Sequence, residues 1–361
     1  MGSGELSELM GKVHRLVMAR IPDPVKAVFL DTPAGFQLNA KELAARAAAF
    51  FKRRFRLPLS IVSFKSAASA TNEEVELALQ QLKQANYIFA GPGSPTYTVN
   101  NWRDTLIFAA VRSRLAEGAH LVFASAAAIA MGRYTLPVYE IYKVGEEPHW
   151  VTGLDLLGSY GLDLAIMPHW NNIEGGTHDT RFTFVGEPRL KIMEAQLPDT
   201  TVILGIDEYT ACIIDLAQEQ CLVMGAGGVT IRYRGQETTY PDGSSFALGQ
   251  LKLASDQGQV RTYALLNTPV TEAVNPWGNM LSEESAESAD MQREPGTNDA
   301  PQESIDRYVE LLVDIRTKLR AARQWPLADE VRARLAELGI VLEDGPTITT
   351  WRRGEPPQGL G

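Results

Sequence analysis

Short apolar runs and segments with helical periodicity alternate between about residues 26 and 225. VKAVFLDTPAG precedes the helical AKELAARAAAFFKRRF, and AHLVFA in the same way precedes an alanine-rich segment that begins at Ser125. Continuous apolar runs are typical of strands buried on both faces, and their alternation with helices predicts parallel βαβ units. The pattern therefore predicts an α/β fold with a mostly parallel, doubly wound sheet. Shorter runs, among them CLVMGAGGVTIRYR and QVRTYALLN, predict an antiparallel extension.

The pattern changes near residue 274, and three segments are expected. Residues 1–273 are predicted to form the α/β domain. Residues 274–303 are rich in Ser, Glu, Asp, Pro and Gly and poor in apolar residues, which predicts an acidic, disordered linker. Residues 304–361 have apolar positions at helical spacing, interrupted at Pro326, and predict a small helical hairpin with a tail.

Composition and charge limit the class of protein. Of the 361 residues, 45% are hydrophobic and 22% are charged, which is ordinary for a globular protein with a sizeable core. The net charge of -10 argues against broad binding of nucleic acid or of an anionic membrane, and no apolar run reaches the roughly 18–20 residues of a membrane helix. The N-terminal segment lacks the features of a signal peptide, and Cys212 and Cys221 have no zinc-site spacing, so we expect a cytoplasmic protein.

Polar residues that follow the apolar runs are the candidate catalytic groups, because sites in parallel sheets gather beyond the carboxyl ends of the strands. Ser125 stands between a strand and a helix, as a serine nucleophile does, although a serine before a helix is also typical of an N-cap. His169 ends another apolar run and could take the serine proton. Gly93, in the loop GPGSP, could donate a backbone N–H to an oxyanion. Chain order favours Glu140 as the acid, and the competing acids are Glu146, Glu147 and Glu208.

A polar loop follows His169 and is a candidate for substrate binding. Its polar residues are Asn171, Asn172, Glu174, His178, Asp179, Arg181 and Arg189. The functional interpretation is that Arg181 or Arg189 pairs with a substrate carboxylate. The alternative is a surface loop with internal salt bridges. The spacing of His169, His178 and Asp179 fits no standard metal template, so neither a metal nor another cofactor is expected.

These segments together resemble the aspartyl dipeptidase and cyanophycinase-like serine peptidases, whose fold is like that of the class I glutamine amidotransferases. The resemblance spans roughly residues 26–235 and is carried by GPGSPTYTV, the segment around Ser125, PHW at His169 and LGIDEYTACIIDL. It implies a catalytic triad of Ser125, Glu140 and His169. It also implies an oxyanion hole formed by the backbone N–H groups of Gly93 and Ala126.

The nucleophile segment departs from the family pattern G-x-S-A-G. This chain has Phe123-Ala124-Ser125-Ala126-Ala127, so both flanking glycines are replaced. Glycine lets a strained turn form and lets neighbouring backbone approach closely. Phe123 is the larger change, and it raises the question of whether the turn that presents the serine still forms. Met-Pro before the histidine resembles the dipeptidases rather than the cyanophycinases, which argues against cyanophycin as the substrate.

The segment RTKLRAARQWPLADEVRARLAELGIVLEDGPTITTWRRG resembles the C-terminal end of the cysteinyl-tRNA synthetases. In those enzymes this region helps contact the anticodon end of the tRNA. The resemblance makes tRNA a candidate partner and makes Trp351, Arg352 and Arg353 candidate RNA-binding residues. The alternative is a hairpin that only packs on protein, since the charge of its helical part is about balanced. The chain lacks the HIGH and KMSKS-type motifs, so it is not expected to be an aminoacyl-tRNA synthetase.

The features together predict a serine hydrolase that acts on a peptide or amide bond of a small substrate through a Ser-His-Glu triad. The alternative is a non-catalytic protein of the same fold that binds a small ligand or tRNA and has a degenerate nucleophile turn. No membrane partner is expected, and a homodimer is the assembly we would test first.

Overall fold

The computed structural model describes residues 1–252 and, between residues 309 and 353, part of the C-terminal segment. The chain divides into two compact units, Met1–Met280 and Leu281–Gly361. The predicted linker at 274–303 and the predicted strand QVRTYALLN lie outside the described residues. In the first unit the predicted α/β fold, with helices and mostly parallel sheets, is confirmed.

The helices and strands of the first unit follow the predicted alternation as far as β4. The helices are α1 (Glu8–Met18), α2 (Ala40–Phe55), α3 (Asn72–Gln84), α4 (Pro95–Trp102), α5 (Leu106–Ala116), α6 (Ala126–Ala130) and α7 (Gly186–Glu194). The strands are β1 (Ala27–Leu30), β2 (Leu59–Val62), β3 (Tyr87–Ala90), β4 (His120–Phe123), β5 (Tyr134–Thr135), β6 (Val151–Thr152), β7 (Leu164–Pro168), β8 (Val202–Ile206), β9 (Thr210–Asp215), β10 (Gln220–Gly225), β11 (Val229–Tyr233), β12 (Gln236–Tyr240) and β13 (Ser245–Ala247).

Strands β1 to β4 form one parallel sheet in the order β2-β1-β3-β4. The side chains of β1 alternate between two apolar clusters. Val28 and Leu30 join a cluster with α3, α4 and α5, whereas Ala27 and Phe29 join one with α1 and α2. Helices therefore cover both faces of this sheet, which is why its strands are continuously apolar.

Helix starts in this sheet follow local capping chemistry. Thr71 and Glu74 form a reciprocal capping box at the start of α3. Ser94 is the N-cap of α4: its side chain accepts a hydrogen bond from the Tyr97 N–H, and Pro95 is the first residue of the helix. Proline suits that position because its missing N–H would have no partner inside the helix. Ser94 therefore ends the glycine loop GPGSP and directs the chain into α4.

The other strands of the first unit form a six-stranded sheet in the order β12-β11-β8-β7-β5-β6 and a three-stranded sheet in the order β13-β10-β9. β7 and β8 are parallel neighbours, whereas β8, β11 and β12 continue in antiparallel fashion. These antiparallel strands are the extension that the shorter runs predict. Because β7 and β8 end at the same edge, His169 and the turn Asp207–Tyr209 lie close together.

In the second unit, the described residues between 309 and 336 are helical, and they precede an antiparallel pair of strands, β14 (Ile340–Asp344) and β15 (Thr349–Arg353). Its apolar cluster contains Val309, Val313, Leu335, Ile340 and Leu342, with Val331 and Trp351 packed against it. The predicted tail is therefore a β-hairpin. None of the helices in the described parts of the chain has the length and apolar character needed to cross a membrane.

Candidate active site

Ser125 lies in the tight turn between β4 and α6 and has a strained backbone conformation. Its φ of 51° and ψ of -121° lie outside the regions that L-residues ordinarily adopt. Ser125 precedes the first residue of α6, but its side chain makes no capping hydrogen bond. Its Oγ instead lies 2.9 Å from Nε2 of His169. The side chain therefore faces a base rather than the helix.

The turn forms although Phe123 stands where the resembling family has glycine. Phe123 is the last residue of β4 and pairs with Ala90 of β3. Its ring packs edge-on against Trp102, with the ring centroids 6.4 Å apart. On the other side of the serine, Ala127 is fully buried and its N–H donates to the Gly91 carbonyl at 3.3 Å. Both replacements of glycine are therefore accommodated by packing.

His169 follows β7 and is held by a segment of left-handed backbone. Phe182, Thr183 and Phe184 have φ values of 60°, 56° and 68°. The Thr183 N–H donates to the His169 carbonyl at 3.2 Å, and its hydroxyl donates to the Pro168 carbonyl at 2.6 Å. The Phe184 ring lies 5.4 Å from the imidazole, centroid to centroid. This segment fixes both the backbone and one face of the histidine ring.

The acid at the histidine is Glu208, and the prediction of Glu140 is corrected on this point. Nδ1 of His169 lies 3.0 Å from Oε1 of Glu208. Glu140 begins a short π-helical turn, Glu140–Val144, and its Oε2 is buried without a hydrogen-bond partner in the described residues. Chain order favours an acid between the serine and the histidine, but the sheet places β8 beside β7, so the acid comes from the turn after β8.

One tautomer of His169 satisfies both of its hydrogen bonds. A carboxylate accepts hydrogen bonds only, so in this tautomer the Nδ1–H donates a hydrogen bond to Glu208. Nε2 of the neutral ring is then an acceptor for the hydroxyl proton of Ser125. The side chains of His169 and Glu208 are only 15% and 22% exposed, so solvent screens this pair weakly. Ser125, His169 and Glu208 are therefore joined by one continuous line of hydrogen bonds.

Two asparagines of the predicted substrate-binding loop hold Glu208 in place. The buried Asn172 donates its amide hydrogen to Oε1 of Glu208 at 2.8 Å. The backbone N–H of Glu208 donates to Oδ1 of Asn171, also at 2.8 Å. Asn171 and Asn172 therefore position the acid, and sequence reasoning assigned them to the substrate instead.

Hydrogen bonds from neighbouring backbone fix the turn that contains Glu208. Oδ2 of Asp207 accepts the Gly228 N–H at 2.7 Å, and Oγ1 of Thr210 accepts the Gly227 N–H at 2.9 Å. Burial raises the pKa of Asp207, and the charge of Glu208 acts in the same direction. Asp207 is therefore a structural carboxyl next to the acid of the site.

The other polar residues of the loop after His169 bind mainly to one another. Asp179 accepts two hydrogen bonds from the Arg181 guanidinium, both at 2.9 Å, and this interaction lowers the pKa of Asp179. Arg181 also pairs with Glu187 at 3.5 Å. His178 stacks on Tyr142, and its Nε2 lies 3.4 Å from the Tyr142 hydroxyl. The ion pairs of Arg181 are the internal salt bridges expected if this segment is a surface loop rather than a substrate-binding loop.

The two remaining polar residues of the loop are exposed. Glu174 donates its backbone N–H to Oδ1 of Asn172 at 3.1 Å, and its own side chain faces solvent. Arg189 lies in α7 and is exposed. Within the described residues, no group of three His, Cys, Asp or Glu side chains is arranged to hold a metal ion.

Gly93 lies directly against the loop that follows β1. Its φ is 155°, and a Cβ atom at this position would lie only 1.8 Å from the Pro33 carbonyl oxygen. Only glycine fits this contact without displacing the loop. Among residues 1–252, no acceptor is found for the backbone N–H of Gly93 or for that of Ala126.

A cavity of about 330 Å³ lies beside this loop. It is lined by Gly91 and Pro92, which precede Gly93, and by Tyr209, which follows Glu208. Three charged side chains also line it, namely Glu5, Asp31 and Arg46. Burial raises the pKa of Asp31, which accepts hydrogen bonds from the Phe64 N–H and the Ser63 hydroxyl. Sequence reasoning missed this cavity because its walls come from five separated segments.

Comparison with solved structures shows a shared fold. The first unit resembles a peptidase from an acI-B1 actinobacterium, with a TM-score of 0.55 and 19% identity over 68% of this chain and 94% of that one. A peptidase E-like protein of Listeria monocytogenes has 13% identity and a TM-score of 0.39. The α/β unit therefore shares the fold of the actinobacterial peptidase. No family profile matches the chain.

Comparison with curated proteins identifies a second, short similarity. The chain is 60% identical over 45 residues to the cysteine–tRNA ligase of Tolumonas auensis, and 62% identical over 45 residues to that of Sodalis glossinidius. Each match covers 12% of this chain and 10% of the ligase. The chain thus spans about a tenth of the length of these relatives, which agrees with the resemblance of its C-terminal segment.

Proposed function

We propose that this chain is a serine hydrolase that cleaves a peptide or amide bond of a small substrate. Ser125 is the nucleophile, His169 the general base and Glu208 the acid that orients the histidine. The observation that supports this best is the continuous line of hydrogen bonds from Ser125 Oγ to His169 Nε2, at 2.9 Å, and from His169 Nδ1 to Glu208, at 3.0 Å. The strained turn at Ser125 supports the same role, because strain of this kind is found where a side chain must be presented.

The reaction has two halves. Ser125 Oγ attacks the carbonyl carbon while its proton passes to Nε2 of His169, and the carbonyl oxygen becomes an oxyanion. The carbon–nitrogen bond then breaks as His169 returns the proton to the leaving amine. Water attacks the resulting ester in the same way, with His169 again as base, which releases the acid and restores the serine hydroxyl. Glu208 stays ionised throughout and stabilises the imidazolium.

The backbone N–H groups of Gly93 and Ala126 are the proposed donors to the oxyanion. A donor of this kind lowers the barrier by roughly 3–4 kcal/mol in serine proteases. Each N–H is without an acceptor among residues 1–252, as expected for groups reserved for a ligand. The close approach of Gly93 to Pro33 gives its loop one defined position.

The cavity of about 330 Å³, which is lined by residues adjacent to Gly93 and Glu208 but not by Ser125 or His169, is the proposed place for a small substrate. Its volume is at the lower end of the roughly 300–1,000 Å³ that small-molecule sites occupy. Arg46 is the cation among its lining residues, so we propose Arg46 for pairing with a substrate carboxylate. Of the two arginines that the sequence offers for this role, Arg181 already pairs with Asp179 and Glu187, and Arg189 lies exposed in α7.

Labelling with a fluorophosphonate probe tests the proposed nucleophile. Wild-type protein should be labelled, and Ser125→Ala should not. Glu140→Gln serves as the matched acid control and should be labelled at the wild-type rate. A folded wild-type protein that the probe does not label would refute the hydrolase and favour the alternative, a protein that binds a ligand without catalysis.

A second proposed function is binding of tRNA by the C-terminal unit. The similarity to the two cysteine–tRNA ligases favours it. Arg352 is exposed and lies on β15, whereas Trp351 is half-buried against the small core and contributes at least partly to packing. Arg353 lies on the same strand, and its side chain is outside the described residues.

Filter binding of total tRNA to full-length protein tests this second function. Arg352→Glu should weaken retention about tenfold or more at low salt, because a phosphate contact is lost and a like charge is added. Thr350→Glu, also exposed on β15, is the control for the added charge. Equal retention by wild type and both variants would rule out RNA binding through this strand.

A further inference from the structure

Two aromatic rings lie in a line that begins beside His169. The Phe184 ring is 5.4 Å from the imidazole, and the Tyr142 ring is 5.6 Å from the Phe184 ring, measured between centroids. Both side chains are half-buried, because one side of each packs on the apolar cluster that contains Ile141 and Phe182. The line of rings therefore starts at the proposed base and is partly open to solvent.

Strained backbone holds Phe184 at this position. Phe182, Thr183 and Phe184 all lie in the left-handed region, which non-glycine residues normally enter only singly. The turn separates its two rings: Phe182 is 5% exposed and packs against Trp170, with the centroids 4.5 Å apart, whereas Phe184 stays half-buried beside His169. Strain of this kind is found where a side chain must be presented.

A second irregular segment presents Tyr142. It belongs to the π-helical turn Glu140–Val144, and such turns are rare and occur frequently at functional sites. The exposed His178 stacks on the Tyr142 ring, with the centroids 6.1 Å apart. Two separate loops, one after β5 and one after β7, thus supply the rings beside the base.

The charge next to these rings is positive. Nζ of Lys143 lies 4.5 Å from the centroid of the Tyr142 ring, and no carboxylate pairs with this ammonium among the described residues. Asp179, in the loop after His169, is already paired with Arg181. A cationic side chain on the rings would therefore be repelled by Lys143, whereas an uncharged aromatic side chain would not.

The reaction proposed above brings the leaving amine to Nε2 of His169, because the histidine returns the serine proton to that nitrogen. The residue attached to that nitrogen then passes beside the imidazole, where Phe184 and Tyr142 offer it two rings. Aromatic rings attract one another at centroid separations of roughly 4.5–7 Å. A third ring can therefore join this line without any change in the protein.

We propose that Phe184 and Tyr142 form the subsite for the leaving residue of the substrate, and that this residue has an uncharged aromatic side chain. The inference rests on the proposed hydrolase function and specifies the leaving half of its substrate. The cavity beside Gly93 is left for the acyl half.

Release of the leaving residue from dipeptides tests the proposal. The full-length protein is given equimolar mixtures of Xaa-Phe, Xaa-Ala and Xaa-Lys, with every common amino acid at Xaa and an isotope label in the C-terminal residue. Wild type should release phenylalanine about tenfold faster than alanine or lysine. Tyr142→Ala should reduce the ratio of phenylalanine to alanine to about threefold or less, whereas Tyr142→Phe, which keeps the ring, should retain it. Tyr139→Ala, which removes an exposed ring three residues earlier, is the matched control and should also retain it.

Each ratio is measured within one sample, so it does not depend on the fraction of folded enzyme. An independent variant tests the charge. Lys143→Glu, at an exposed position, should raise the release of lysine relative to alanine about threefold or more, because repulsion becomes attraction. An unchanged ratio of lysine to alanine in this variant would contradict the proposed position of the leaving residue.

Fluorophosphonate labelling of wild type separates this inference from the hydrolase itself, because the fluoride that leaves the probe carries no side chain. A labelled wild type that releases phenylalanine no faster than alanine would overturn the inference and leave the hydrolase standing. A Tyr142→Ala protein with the wild-type ratio would do the same. A folded wild type that is not labelled and releases no residue would refute the hydrolase and the inference with it.

Discussion

Replacing Glu208 by glutamine tests the corrected acid assignment most directly. The substitution keeps the size and shape of the side chain but removes its charge. The glutamine amide can also donate to Nδ1 of His169, which favours the tautomer with the proton on Nε2. That tautomer cannot accept the Ser125 hydroxyl proton, so the nucleophile loses its base. We therefore expect the reaction of Ser125 to slow while the protein stays folded.

The size of the effect follows from the geometry of the ion pair that forms during the reaction. His169 Nδ1 and Glu208 Oε1 are 3.0 Å apart, and both side chains are mostly buried. At an effective dielectric constant of about 20, unit charges at this distance interact by about 5.5 kcal/mol, which is an upper limit because solvent screens the pair. A loss of about 3–5 kcal/mol corresponds to a slower reaction by a factor of about 10²–10⁴.

The assay is the second-order rate constant for labelling by a fluorophosphonate, measured together with Tm. Glu208→Gln should label about 10²–10⁴ times more slowly than wild type, with a similar Tm. Glu140→Gln should label within about threefold of wild type. The assignment is refuted if the Glu208 variant keeps the wild-type rate, or if the Glu140 variant is the slower of the two.

Three further predictions test the turn at Ser125, the loop that contains Gly93, and His14, a buried histidine of α1. Phe123→Gly should lower the free energy of unfolding by about 1–3 kcal/mol, because the ring packs on Trp102. The rate of fluorophosphonate labelling should stay within about threefold of wild type. Denaturant unfolding and the labelling rate test this, and a large fall in the labelling rate would contradict the prediction. In Gly93→Ala the alanine Cβ would lie 1.8 Å from the Pro33 carbonyl oxygen, so the loop must shift. The folded variant should therefore lose most of its fluorophosphonate labelling. A wild-type labelling rate at unchanged Tm would exclude Gly93 as a donor to the oxyanion. Burial lowers the pKa of His14 to about 4, below its unfolded value of about 6.5, so its stabilisation is complete above about pH 6.5 and is lost as the pH falls towards 4. Between pH 7 and pH 4 the free energy of unfolding in urea should therefore fall by up to about 3 kcal/mol more for wild type than for His14→Gln. The prediction is wrong if the free energies of unfolding of the two proteins change in parallel with pH.

Local signals in the sequence were sufficient for two members of the candidate site. Ser125 follows an apolar run and precedes a helix, and His169 follows another apolar run, so strand ends alone indicate both. The acid was not predictable in this way. Glu208 also follows a strand, but chain order favoured Glu140, and only the pairing of β7 with β8 places Glu208 at Nδ1 of His169.

The sequence by itself determined the α/β class, the strand ends at which the site gathers and the glycine loop, because apolar periodicity and turn residues act within a few positions of the chain. Tertiary structure alone decided the rest. It showed that Phe123 packs on Trp102 next to the turn at Ser125, and that Asn172 donates a hydrogen bond to Glu208. Each of these depends on contacts between residues far apart in the chain, and no local pattern encodes which strands become neighbours.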